Sequence, residues 1–102
     1  MDTISIQKGQ WVPMRLTFWA DTDKTSPVDL TGAVVTVNDA SQPILLELAP
    51  ALSEPENGVV DLTLWEEQSR QLETGRVNWM KLEAQFTSTN IQTPKIWFNV
   101  HE

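Results

Sequence analysis

The chain reads as all-β. Apolar and polar residues alternate in short runs, turn-forming clusters separate those runs, and only one stretch carries a helical pattern. At 102 residues there is room for one domain with a single core.

The elements follow in order. Thr3–Gln7 is a short strand with Ile4 and Ile6 on one side, and Lys8-Gly9-Gln10 turns the chain. Residues 12–20 form the next strand, with Met14, Leu16 and Phe18 in phase; Pro13, which has no N–H, suits an edge strand or the first positions of one. The segment 20–32 is dense in Asp, Thr, Ser, Pro and Gly and reads as loop. Residues 33–38 are a Val-rich strand, 39–43 a turn, and 44–48 a strand alternating Ile44, Leu46 and Leu48 against Leu45 and Glu47. The stretch 50–58, with two prolines and Asn57-Gly58, reads as a turn rather than a strand. Val59–Leu64 places Val60, Leu62 and Leu64 on one face. Residues 65–74 make one or two helical turns ended by Gly75, with Glu66 and Glu67 favouring the first turn through its dipole. Residues 76–86 are a long strand with Met80, Leu82, Ala84 and Phe86 in phase, 87–94 a polar turn, and 95–100 the last strand with Ile96, Phe98 and Val100 inward. About seven short strands at this spacing predict an immunoglobulin-like β-sandwich or a small barrel.

Composition narrows the function. Hydrophobic residues make up 40% and charged residues 21%, ordinary globular usage. No apolar run approaches a membrane span and no secretion signal is visible, so a soluble protein without a membrane partner is expected. Seven Lys and Arg against 14 Asp and Glu give a net charge of −7, which repels phosphate backbones and argues against direct nucleic-acid binding. Cysteine is absent, which removes disulfides, thiolate nucleophiles and cysteine zinc sites.

Candidate chemistry is sparse. His101, the single histidine, sits beside the last residue and is poorly placed for a triad or a multi-histidine metal site within one copy. The stretch Asp21-Thr22-Asp23-Lys24-Thr25, with Asp29, has the look of a calcium loop. It carries Ser26 where the turn glycine belongs and Gly32 where a bidentate Glu is needed. The carboxylate pairs Glu54/Glu56 and Glu66/Glu67 lie in polar stretches where nothing separates their acidities, and Ser69 has no evident base. No catalytic, cofactor-binding or metal-binding residue is assigned, and no cofactor is expected.

The tryptophans carry the information. There are five, Trp11, Trp19, Trp65, Trp79 and Trp97, with no tyrosine. If the apolar phases above face the core, period two places Trp11 and Trp19 outward with Arg15 and Thr17, Trp79 outward with Lys81 and Glu83, and Trp97 outward beside Lys95 and Asn99. Large aromatics on a face that should be wet mark an association surface. Trp19, Trp79, Trp97 and Trp11 are therefore the expected protein-interface residues, joined by Ile4 and Ile6 of a short terminal strand able to pair with or be donated to a neighbour. The turn-forming positions are Asp29, Gly32, Gly58 and Gly75.

Two segments carry a family resemblance: Pro27-Val28-Asp29-Leu30-Thr31-Gly32-Ala33-Val34-Val35, and Asn57-Gly58-Val59-Val60-Asp61-Leu62-Thr63-Leu64. The second is followed by the helical turn, Leu72, Glu73-Thr74-Gly75, Val77 and Trp79; both are preceded by Ile4-Ser5-Ile6 and Lys8-Gly9-Gln10-Trp11. In order and spacing these resemble small tailed-bacteriophage virion proteins and the N-terminal domain of phage baseplate upper proteins. The resemblance implies an immunoglobulin-like β-sandwich, no enzymatic activity, and assembly in the host cytoplasm into a virion. There the chain would be an oligomer in contact with other virion proteins, in the tail, baseplate or fibre-attachment region. A capsid decoration protein of the same fold and a carbohydrate- or receptor-binding module stacking sugars on Trp are the competing expectations.

Overall fold

The structure, a computed structural model, describes residues 3–20 and 23–102. Asp21 and Thr22, the first residues of the calcium-like stretch, lie outside them. Eight strands are present among the described residues: β1 (Thr3–Gln7), β2 (Val12–Thr17), β3 (Val34–Ala40), β4 (Ala51–Glu54), β5 (Val59–Leu64), β6 (Gly75–Gln85), β7 (Asn90–Gln92) and β8 (Ile96–His101). They form two sheets. The first runs β1-β8-β6-β3, with β7 also on β6; the second runs β2-β5-β4. All ladders are antiparallel except β1–β8, which is parallel.

Alternation builds the core between the sheets. Val60, Leu62 and Leu64 of β5 are buried while Asp61 and Thr63 face out, and Met14 of β2 lies opposite Leu62. The first sheet contributes Val35, Val37, Met80, Leu82, Ala84, Phe98 and Val100 to the same cluster. β2 is an edge strand and Pro13 is its second residue, so both readings of that proline are met.

Four expectations are corrected. Residues 44–48 are not a strand: Pro43 opens a 3₁₀ turn, Pro43–Glu47, that buries Leu45, and Leu48 three residues on is also buried. β4 occupies part of the predicted 50–58 turn; all four of its residues are exposed, so it left no apolar pattern. β7 lies within the predicted polar turn 87–94 for the same reason, with two of its three residues exposed. Gly75 does not cap the helix. The α-helix, α1, covers only Glu66–Ser69, and Gly75 opens β6 at φ +107°, where the β6–β8 register shifts.

The other turn positions behave as turns. The Asp29 carboxylate accepts the Thr31 N–H at 3.0 Å and the Thr31 hydroxyl at 2.6 Å, and these bonds hold its pKa below the usual carboxylate value. Gly58, at φ +71°, ends the 3₁₀ turn Pro55–Asn57, with its carbonyl accepting the Phe18 N–H at 2.9 Å.

Candidate assembly surface

On the first sheet, Trp79 and Trp97 are direct cross-strand partners on the outer face, and Thr3 of β1 is the next neighbour of Trp97. Their strand neighbours Met80 and Phe98 are fully buried, so the pleat turns both indoles outward. Both rings are half-buried. The Lys95 ammonium lies 4.2 Å from the Trp79 ring centroid and 5.6 Å from that of Trp97, a cation–π arrangement that fixes one positive charge at the pair.

On the second sheet, the register pairs Val12 with Leu64, and one step further Trp11 and Trp65 stack with centroids 6.4 Å apart and planes 26° apart. They are 52% and 58% exposed. Local chemistry holds them together. The Trp65 N–H donates to Gln68 Oε1 at 2.9 Å, closing the first turn of α1. The buried Ser69 hydroxyl donates to the Gln10 carbonyl at 2.8 Å, tying α1 to the residue before Trp11. Trp65 also lines two shallow, open depressions, one walled by Glu66, Glu67 and Gln68, the other by residues that include Glu47, Asp61 and Thr63.

Charges around the second pair are partly committed. Arg15 Nε donates to Asp61 Oδ1 at 2.9 Å, and Nη1 lies 3.7 Å from Glu54. The guanidinium holds the Asp61 carboxyl below the usual carboxylate range. On the first sheet, four residues along β6 from Trp79, Glu83 faces outward but is 8% exposed, covered by the Gln85, Gln92 and Asn90 amides that donate to it at 2.7, 3.0 and 3.4 Å.

The structure thus brings Trp79 to Trp97, and gives Trp11 a partner, Trp65, to which the sequence assigns no role. The available signal is the phase of β5: Asp61, Thr63 and Trp65 share one face. Trp19 belongs to neither pair; it is 38% exposed and its backbone bridges Pro27. Ile4 and Ile6 are corrected. Ile6 is 3% exposed and Ile4 packs against the same core, because parallel pairing sets them beside Phe98 and Val100. β1 is therefore no free arm, and its outward residues are Thr3, Ser5 and Gln7.

Among the described residues no group of three or more His, Cys, Asp or Glu converges as metal ligands, and no helix is long and apolar enough to cross a membrane. No known protein family, curated protein or solved structure matches the chain.

Proposed function

We propose that this chain is a non-enzymatic structural component of a tailed-bacteriophage virion, built on an immunoglobulin-like sandwich and assembled by protein–protein contacts in the tail, baseplate or fibre-attachment region. The observation that carries the assembly reading is a tryptophan pair at the outer surface of each sheet, Trp79–Trp97 half-buried across the β6–β8 ladder and Trp11–Trp65 exposed just beyond the end of the β2–β5 ladder. Indole surface left in water is costly, and a tryptophan buried against a partner is the kind of residue whose loss weakens binding by about 2 kcal/mol or more.

Strand order supports the immunoglobulin-like part. β2-β5-β4 follows the order of strands B, E and D of that sandwich, and β3-β6-β8 that of C, F and G, with β1 on the last strand. The chain departs from antibody domains in having neither the inter-sheet disulfide nor the tyrosine corner, since it contains no Cys and no Tyr. Aliphatic packing of Met14, Met80 and Leu82 stands on the strands concerned. The virion assignment rests on the resemblance of the two turn-and-strand segments around Asp29–Gly32 and Gly58–Leu64.

Imaging an assembled particle with this chain traced is the test. The expected result is density in the tail or baseplate with Trp79 and Trp97 covered by a neighbouring subunit. Density on the capsid surface would favour decoration instead. Tryptophans facing solvent in the particle, or a glycan in solution protecting them on the isolated domain, would overturn the reading.

A further inference from the structure

The two tryptophan pairs stand on the outer faces of opposite sheets, and their fixed charges differ in sign. At Trp79–Trp97 the Lys95 ammonium sits over the rings and is the charge at the pair itself; further along β6, Lys81 has Asp39 as its cross-strand partner and the Glu83 carboxylate accepts from three amides. At Trp11–Trp65 the chain continues directly into Glu66 and Glu67, which with Gln68 wall the depression beside Trp65. Of the cations on that side, Arg15 is held by Asp61 and Glu54, and Arg70, at the end of α1, places its guanidinium beside Gly9.

We propose that each face is filled by the other face of a second copy. The contact would be heterologous and head-to-tail, with Trp79, Trp97 and Lys95 of one copy seated on Trp11, Trp65, Glu66 and Glu67 of the next. This deepens the assembly reading above and rests on it. Charge decides between the possible pairings. A two-fold contact with its axis at Lys95 brings the two ammonium groups together, and one with its axis at Glu66 and Glu67 brings the carboxylates together. The crossed contact sets an ammonium against two carboxylates and covers four indoles. The net charge of −7 opposes approach at long range, but beyond about 8 Å physiological salt screens it, so short-range pairing governs. The molecule measures 40 × 26 × 20 Å, so a contact of the about 800 Å² per partner usual for a stable interface takes in much of its broad side and reaches beyond the indoles. Because the faces differ, every added copy leaves one of each open, and the chain of contacts closes into a ring or extends as a stack.

The experiment is sedimentation velocity on the full chain from roughly 10 µM to 1 mM, with Lys95→Glu and the double variant Glu66→Lys/Glu67→Lys. The wild type is expected to form species larger than a dimer as concentration rises. Each variant alone should associate at least about tenfold more weakly. An equimolar mixture of the two should recover association, because the altered face of each matches the altered face of the other. Recovery also shows that both variants fold. A wild type that stays monomeric throughout overturns the proposal, as does a dimer lost in Lys95→Glu but untouched by the Glu substitutions, or a mixture that fails to recover. If the chain alone is monomeric yet a different protein covers Trp79 and Trp97 in the particle, the head-to-tail contact fails while the proposed function stands. Self-association without a place in any particle does the opposite, upholding the contact and overturning the virion role.

Discussion

Replacing Gly58 with alanine tests how Phe18 and Val28 are held to the sandwich. A Cβ built there falls 2.7 Å from the Val28 carbonyl oxygen and 2.8 Å from that of Phe18. Both obstacles are backbone, so no rotamer change relieves them. Relief means displacing the strand end that makes the Phe18 N–H to Gly58 carbonyl bond and the Val28 N–H to Phe18 carbonyl bond, each 2.9 Å. The left-handed φ of +71° costs a non-glycine residue about 1–2 kcal/mol, and a weakened backbone bond about 1 kcal/mol more. The expected loss is about 3 kcal/mol, a large share of the 5–15 kcal/mol typical of a domain, and a fall in Tm of roughly 12–24 °C. Gly32→Ala is the matched control: φ is +82° but an added Cβ has no heavy atom within 4 Å beyond its own chain neighbours, so only the conformational cost of about 1–2 kcal/mol applies. Urea unfolding followed by tryptophan fluorescence measures both. If Gly58→Ala is no worse than Gly32→Ala, the two carbonyls do not confine the site and the reasoning fails.

Ser69→Ala should cost about 1–2 kcal/mol, because the Gln10 carbonyl loses its buried donor, and the near-ultraviolet dichroism of the Trp11–Trp65 stack should weaken with it. The Asp61 carboxyl is held below its ordinary pKa by Arg15, so the unfolded chain takes up that proton first as pH falls. The contribution is complete above the unfolded value of about 4 and disappears as pH drops through the depressed folded value. Urea midpoints between about pH 5 and pH 2 should therefore fall less steeply in Arg15→Gln, with a residual slope from Asp29, whose carboxyl Thr31 depresses in the same sense.

The strands that the sequence shows plainly are those with one wet and one dry face. β5 alternates half-buried and buried along its whole length, and its bounds match the sequence reading. Residues 44–48 mislead because four of the five are apolar, which fits either period; the proline at 43 and the burial of Leu45 and Leu48, three apart, belong to a 3₁₀ turn. β4 and β7 are edge pairings of mostly exposed residues, held by backbone hydrogen bonds that no side-chain pattern announces. At the candidate surface, period two places Trp79 and Trp97 outward, but only the register makes them partners. Trp65 is hidden in the sequence because it reads as the first residue of a helix rather than the next outward step after Thr63. Ile4 and Ile6 point inward because β1 pairs with β8 in the same chain, a long-range choice that a five-residue strand cannot reveal.

The parallel ladder between β1 and β8 has a mechanical consequence. Thr3 aligns with Trp97 and Gln7 with His101, so the first strand enters at one end of the sandwich and the last leaves at the other. Tension applied at Thr3 and His101 drags the two strands past each other along their length. The ladder bonds lie across that pull and share it, so they must rupture together instead of unzipping one by one. Load carried from one end of the sandwich to the other thus meets this protein in its stiff direction.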